Sequence, residues 1–541
     1  MDNTTTLTIG NLVVSEVAIN NTTGGGFDAS NGSGASMNAV FSSISSTNGV
    51  NGIDLTNCAG TFTVNGGTIT NPTGTGVLIS GGSVTFSSSG VITDNSGFAV
   101  DVDNHDSNNV TFSGNITSTG TGIRVQNCGG GTKTFSGASK SLTTGTSSGV
   151  TLSSNTGATI TISGGGLVIT TTTGTGFNAT GGATAVNVTG TGNTLTSTTG
   201  IAINISATNI GASNITFQSV NSTGTTTNPA IKLDNTGSAG SFIVSGNGGA
   251  CAIGSLTCTG GSIQNKGTND AVSNSLEGGI FLNSSKNPQF NLMNVSSNFD
   301  NGLIGTNLDG ISISTCVFDN NGSAVKESGI RLGHETDNTR NGVTGIASIT
   351  NTAVKASSEF NVAIFNSSGT LTSLNVSGLT SSDTKSRPLG ADGMIIEIRN
   401  TAIATVTITG STFANNFTQG IQAAANDNTT LTLVATGNTF TSNNEGIVAN
   451  HGFGSTLNAT IGGSTLALGN TFTGHPGASI VISQASTTTG NTTGTIQNNN
   501  VTSATDGSTV NHGIIVFVSG TNSHGSFKIT NNTVTQHTFG H

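Results

Sequence analysis

Short alternations of apolar and polar residues, each opening on a glycine, recur along the chain. They read Gly52-Ile-Asp-Leu, Gly76-Val-Leu-Ile, Gly97-Phe-Ala-Val, Gly122-Ile-Arg-Val, Gly149-Val-Thr-Leu, Gly176-Phe-Asn-Ala and Gly200-Ile-Ala-Ile, at intervals of 24, 21, 25, 27, 27 and 24 residues. The pattern returns at Gly279, Gly310, Gly329, Gly393, Gly420, Gly446 and Gly513. Period-two alternation is the signature of a strand with one buried face. In Gly329-Ile-Arg-Leu332 the aliphatic residues share a face and Arg331 takes the other. Further alternating runs lie between the glycine-led ones, at 60–64, 83–86 and 159–162, bounded by Gly, Asn and Ser. Each unit therefore predicts two or three short strands joined by tight turns.

A unit of this size cannot bury a core alone, whereas stacked units can. The sequence predicts an all-β chain: a single-stranded right-handed parallel β-helix, or solenoid, of about 20 coils of ~25 residues. One residue from each coil would enter each internal column. A second marker, a polar residue followed by Thr and then Phe or Val, appears at Asn438, Asn470, Asn499 and Asn532, with Ser411 as a variant. Asn accepts left-handed backbone geometry at turns, and stacked Asn side chains form amide ladders.

These glycine-led strands and Asn-Thr-Phe turns resemble the right-handed parallel β-helix repeat family, the superfold of pectate lyases, phage tailspikes and the passenger regions of autotransporter adhesins. The Phe-x-x-Asn tetrads at Phe112, Phe318, Phe413 and Phe440 are similar to those of surface autotransporters. The resemblance implies one continuous β-helix over residues 1–541. Low-charge coils would fill 1–275, coils with charged turns and insertions 276–400, and coils with Asn-Thr-Phe turns 401–541. The final unit ends before its next glycine-led strand is due, which reads as a segment of a longer protein.

Composition sharpens this picture. Only 7% of residues are charged, Gly numbers 80 and Pro 5, and Phe numbers 24 with no Trp or Tyr. Disordered chains are usually proline-rich and highly charged. Collagen needs a three-residue glycine period. Fourteen basic against 24 acidic residues give a net charge of −10, which opposes nucleic-acid binding. No apolar run approaches the ~20 residues of a membrane span, so no membrane insertion is expected, and no secretory leader stands at the N-terminus.

Candidate chemistry gathers in one window. Between Lys286 and Arg399 lie 18 of the 38 charged residues (24 acidic plus 14 basic). Arg331, Glu397 and Arg399 should point outward from strands. Asp309, Glu327, Glu335, Asp337, Arg340, Asp383, Arg387 and Asp392 lie near them in sequence. In polysaccharide-cleaving relatives, outward carboxylates and an Arg or Lys collect on one face. If the chain is an enzyme, Asp309, Arg331, Glu335, Asp337, Glu397 and Arg399 are the catalytic candidates, as general acid and base or as holders of Ca²⁺ against a uronate. The plainer reading is solvated turn charges and ion pairs between coils. The absence of Trp and Tyr weighs against a sugar cleft.

Asp101, Asp103 and Asp106, with Asn104, form the densest acidic run, which reads as a polar turn or, alternatively, as a calcium site. They lack the Gly and distal Glu of an EF-hand loop. No other cofactor is implied. Six of the eight histidines, His451, His475, His512, His524, His537 and His541, fall late and read as turn residues. Cys58 and Cys128 each follow a repeat glycine by six residues, three coils apart at ~14 Å, too far for a disulfide. Cys251 and Cys258 would close a small surface loop in an oxidising compartment. Cys316 leaves the count odd and reads as buried.

The leading expectation is a structural or adhesive solenoid segment of a secreted or cell-surface bacterial protein, a rod or stalk that binds host, cell or polysaccharide surfaces. The alternatives are a polysaccharide lyase or glycoside hydrolase acting at 286–399, and a tailspike-like receptor binder, which would need to trimerise.

Overall fold

A computed structural model of the chain describes residues 11–30, 36–252, 258–268, 277–385, 390–484, 489–502, 512–519 and 523–535. It is all-β, with 57% of residues in strands. Among the described residues there is no α-helix, and a single 3₁₀ turn spans Leu466–Leu468. The strands stack in parallel in the manner of a right-handed β-helix. The described residues divide into two compact units, 1–224 with 230–246, and 225–229 with 247–541.

In the first unit one internal file runs Phe27, Ile53, Val77, Val100, Ile123, Val150, Phe177, Ile203 and Ile231, in unbroken parallel register. In the second, an equivalent file runs Ile280, Leu303, Ile330, Val362, Met394, Ile421, Ile447, Ile480 and Ile514. Every member from Ile280 to Ile480 is 0% exposed. At ~1.5–3 kcal/mol for each buried aliphatic side chain, such files are the main attraction between coils. Phenylalanines stack the same way: the rings of Phe413, Phe440 and Phe472 lie 5.1 and 4.7 Å apart and within 7° of parallel. Coil length is less uniform than the sequence period. It runs from 23 residues (Val77 to Val100) to 34 (Ile480 to Ile514), because the second unit carries insertions at its corners.

The glycine before each strand is there for close approach. A Cβ on Gly76 would sit 2.3 Å from the Ala99 carbonyl oxygen, and one on Gly446 would sit 2.2 Å from that of Ser479. Three glycines of the sequence pattern prove out of phase, the first being Gly97, three residues before the file residue Val100. In the coil of Gly200 the file residue is Ile203, and Gly310 belongs to a different strand, Leu308–Ser314, while Gly302 holds the position before the file residue Leu303. Local alternation alone does not separate the two kinds of strand.

A common rule recurs at more than one corner of the coil. A residue with positive φ turns the chain, and the next residue points inward. Asn320, Asn415, Ser442, Asn498 and Asn531 have φ of 54°, 54°, 52°, 58° and 56°. The residues after them join amide ladders between coils, Asn321, Asn416 and Asn443 past the short strands Val317–Asp319, Thr412–Ala414 and Thr439–Thr441, and Asn499 and Asn532 ahead of Asn500–Thr502 and Thr533–Thr535. Asn438 Nδ2 donates to Asn470 Oδ1 (3.0 Å), Asn470 Nδ2 to Asn499 Oδ1 (3.0 Å) and Asn499 Nδ2 to Asn532 Oδ1 (2.9 Å). Each Oδ1 also takes the backbone N–H of the preceding rung. Buried amides cost free energy unless paired, and the ladder pairs them along the axis. Asn115 of the first tetrad is the exception: it is exposed and accepts the Ser139 N–H at 3.0 Å.

Candidate functional site: a covered charge cluster on the second unit

The strand Ile330–Leu332 presents Arg331 outward in the file Ile304, Arg331, Ala363, Ile395, Gln422 and Val448. Gln422 and Val448 are half-buried, as an outer face should be, yet Arg331 is only 1% exposed. The insertions around 322–328 and 333–342 fold back over this face. Arg331 Nη1 donates to the Lys326 carbonyl. Arg399 Nη2 donates to the His334 carbonyl (2.7 Å), and Ser367 Oγ to that of Asn338 (2.8 Å). Beneath them Phe360, Ala363, Phe365 and Ile395 form a small apolar cluster outside the main core, and the Arg331 guanidinium lies 5.3 Å from the Phe365 ring centre.

Carboxylates surround this arginine. Asp300, Glu327 and Glu359 occupy the same place in successive coils, two residues before the first residue of the outward strand's turn (Gly302, Gly329, Asn361), and all three are buried. Glu327 Oε2 accepts the backbone N–H groups of Ser323 and Ala324, and its side chain meets that of Asp300. Burial pushes the Glu327 carboxyl up to about 7. Burial also raises Glu359, which accepts the Lys326 N–H. It lowers the affinity of Arg331 for its proton, against the pull of Glu335, Glu359 and Glu327. Glu335 pairs with Lys326 at 2.8 Å. In the next coil Asp392 accepts from Thr418 Oγ1 and Gln419 N, and burial pushes it up to about 6.

Of the six catalytic candidates, Arg331 and Glu335 thus join one cluster. Glu397 and Arg399 stand at its edge, 3.5 Å apart at ion-pair distance, with burial raising Glu397 and Arg399 opposing. Asp337 pairs instead with Arg340 at 3.1 Å and caps the turn through Thr339. Asp309 is exposed on the strand Leu308–Ser314. Arg387 lies outside the described residues. Sequence reasoning passed over Asp300, Lys326 and Glu359. The signal for the two acids was their constant offset from the coil's phase residue.

The acidic run of the first unit does not converge. Asp101 makes a two-pronged bond to Arg124 (2.9 and 2.6 Å), Asp103 accepts from Gln126 and Asn127 (both 3.0 Å), and Asp106 accepts the Gly129 N–H (2.8 Å). Among the described residues no group of three His, Cys, Asp or Glu is arranged to hold a metal ion. A cleft of about 540 Å³ in the same unit is lined by Phe27, Asp28, Val50, Asn51 and Asp54. Burial raises the Asp54 carboxyl, which is tied to Asn51 (2.7 Å) and Thr56 (2.9 Å).

Buried lysines are a second feature that the sequence reading missed. Lys133 and Lys140 sit in internal files, opposite Val110 and Ile160, and Ile116 and Leu167. Their ammonium groups reach the corner carbonyls: Lys133 Nζ bonds the carbonyl of Gly130 (2.8 Å) and His105 Nδ1 (2.9 Å), and Lys140 Nζ the carbonyls of Gly137 and Ser163. Burial brings Lys140 and Lys266 down to about 8. Their parity with Phe135 and Leu142 in Lys133-Thr-Phe and Lys140-Ser-Leu was the available signal.

His451 closes the strand Glu445–His451 and His475 lies in the connection after Thr471–Thr473; both are buried, and burial lowers both. His475 takes the rung after Asn443, with Nδ1 at 2.9 Å from its carbonyl. His512 and His524 are exposed, the latter within the strand Ser523–Thr530. His537 and His541 lie outside the described residues. Cys251 and Cys258 are bonded, with Cα atoms 4.6 Å apart, and Cys58, Cys128 and Cys316 are free and buried. No helix among the described residues is long and apolar enough to cross a membrane. No protein-family model matches the chain, and neither a curated protein nor a solved structure is detectably similar to it.

Proposed function

We propose that the chain is a structural and adhesive solenoid segment of a secreted or cell-surface bacterial protein, akin to the stalks of β-helical adhesins, that displays a nearly neutral hydroxyl surface to a cell or polysaccharide. The observation that carries this reading is the fate of the charges. Arg331, the one cation among the strand-borne catalytic candidates, is 1% exposed beneath the insertions, and Asp337, Glu397 and Arg399 are engaged in ion pairs. One outward file runs through hydroxyls and an amide, Thr412, Thr439, Thr471, Asn500 and Thr533. The Cys251–Cys258 bridge supports an oxidising compartment.

The reading as a lyase or hydrolase draws on a specific observation too, the gathering of Glu327, Glu335 and Glu359 about Arg331. One experiment separates the two. The chain is incubated with a panel of neutral and acidic polysaccharides, and bound protein and newly formed reducing or unsaturated ends are both measured. Retention without cleavage is expected, unchanged in Glu335→Gln. Product formation abolished by Glu335→Gln or Arg399→Ala would replace the adhesive reading with the enzymatic one.

A further inference from the structure

We propose that the outward face of the strands Ile403–Thr409, Thr430–Thr436, Thr456–Ile461 and Gly490–Gln497 binds an uncharged, extended β-linked glycan lying along the coil axis. This assignment rests on the adhesive reading and gives it a place and a partner. The four strands run in parallel register without a bulge. Thr405, Thr432, Asn458 and Thr493 form one outward file, and Thr407, Val434, Thr460 and Thr495 the next. The buried Leu431, Leu433 and Leu457 alternate with them and hold them on the outside.

The hydrogen-bonding capacity of this face is unspent. Among the described residues its threonine hydroxyls bond no other protein group. Elsewhere outward hydroxyls pair with each other, Ser87 Oγ with Thr63 Oγ1 at 3.2 Å and Thr502 with Thr535 at 3.4 Å. Each free hydroxyl offers one donor and two acceptor sites, and a β-branched side chain in a strand has little rotamer freedom left to lose. Charge selects the partner. None of the four strands contains an ionisable residue, although the chain as a whole carries −10, and Lys528 enters only in the next coil of the Thr495 file. An ionised sugar would give up hydration here with no counter-charge in return, whereas a neutral polyol exchanges water bonds for hydroxyl bonds. Spacing selects its shape. Coils lie ~4.8 Å apart and successive outward residues of a strand ~6.6 Å apart. The first distance is close to the advance of one pyranose unit in an extended β-linked chain, so each coil meets one sugar, with the threonine methyl against its C–H face and the hydroxyl at its rim.

Affinity electrophoresis of the full chain through gels containing hydroxyethylcellulose or glucomannan tests this, with carboxymethylcellulose as a charged form of the first backbone. Retardation by a neutral polymer is expected, and cello-oligosaccharides should compete better with each added unit up to about four, one for each coil of the face. Thr405→Val, Thr432→Val and Thr493→Val together keep the β-branched shape and remove three hydroxyls, so retardation should weaken by at least ~10-fold. Thr432→Lys alone, a charge in the middle of the face, should weaken it too and transfer retardation to carboxymethylcellulose. Thr439→Val with Thr471→Val, on a different outward file, should change nothing. Retardation by a neutral polymer that survives both the triple variant and Thr432→Lys would overturn this face while leaving adhesion standing, as would stronger retardation of the parent chain by carboxymethylcellulose. A chain retarded by none of the three polymers overturns the glycan assignment, and one that also binds nothing in the wider polysaccharide panel loses the adhesive reading with it.

Discussion

The amide ladder makes a quantitative demand that can be met or refuted at Asn470. Its side chain accepts the Asn438 N–H (2.9 Å) and Nδ2 (3.0 Å), and donates to the Ala435 carbonyl (2.9 Å) and Asn499 Oδ1 (3.0 Å). Asn470→Ala removes all four. The losses differ in kind. The Ala435 carbonyl keeps the Gly462 N–H, Asn499 Oδ1 keeps the Asn470 backbone N–H, and Asn438 Nδ2 keeps the Ile408 carbonyl. Only the Asn438 N–H is left bare in the interior. A bare buried donor costs ~1–3 kcal/mol and each of the three other bonds ~0.5–1.5 kcal/mol net, so the expected loss is about 4 kcal/mol. Thr471→Ala, at the exposed neighbour, should stay within ~0.5 kcal/mol. The measurement is the urea midpoint of the second unit at fixed slope. Asn470→Asp adds a chemical check: a carboxylate still accepts from Asn438 but cannot donate to Asn499, so its damage at neutral pH should be partly reversed in acid. A loss from Asn470→Ala below ~1 kcal/mol, or equal to that of Thr471→Ala, would mean the stacked amides merely fill space.

Asp392 gives a pH dependence of definite sign. Its carboxyl is raised from 3.8 to about 6 in the folded chain, so it favours folding fully below about pH 4 and that contribution is lost as pH rises through about 6, a difference of ~3 kcal/mol. Urea midpoints from pH 4 to 7 should show Asp392→Asn more stable than the parent at pH 7 and no better at pH 4; parallel curves would refute the assignment. Thiol labelling should find no reactive cysteine in the folded chain and two after mild reduction, Cys251 and Cys258, with Cys58 and Cys128 released only on unfolding. Burial pushes the Cys58 and Cys316 thiols up to about 12, so even transient exposure labels them slowly at neutral pH. Early labelling of Cys58 would contradict its place in the core.

How far the sequence could be read depended on whether a feature is periodic. Strand alternation and the glycine before each strand are local and repeat, so Ile330, Val362 and Met394 could be placed in one file only if the coil length was known, and the insertions changed it. The charged window 286–399 was visible as composition, and Arg331 and Glu397 do stand on the outward phase of their strands, whereas Arg399 lies just past the strand Met394–Ile398. What was hidden is the cover. Arg331 alternates as an exposed residue should, and only the return of 322–328 and 333–342 over it makes it a buried one. That return is fixed by bonds such as Arg399 to the His334 carbonyl, 65 residues apart, which no local pattern encodes. Lys133 and Lys140 failed for the opposite reason: their parity was legible, but a lysine on the apolar phase is usually discounted.

The corner rule explains both successes and failures. After the positive-φ residue the next side chain must enter the interior beside the bared carbonyls of the turn, so the position selects for a donor rather than for amide chemistry as such. Asn321, Asn443 and Asn499 meet it with Nδ2, bonded to the carbonyls of Val295, Phe413 and Ile461. Cys128 meets it weakly with Sγ toward Val102, and His105 with a ring nitrogen 2.9 Å from the Val84 carbonyl. Read this way, His475 past the short strand Thr471–Thr473, and Cys58 and Cys128 past the file strands Ile53–Thr56 and Gly122–Gln126, meet the same demand at different corners, each following a residue of positive φ (Gly474, Asn57, Asn127). The chain carries few charges, and the second unit gathers Asp300, Lys326, Glu327, Arg331, Glu335 and Glu359 at its insertions. A surface this neutral favours many weak hydroxyl and amide contacts with an extended partner over one deep polar pocket, which is the physical basis for preferring adhesion to catalysis.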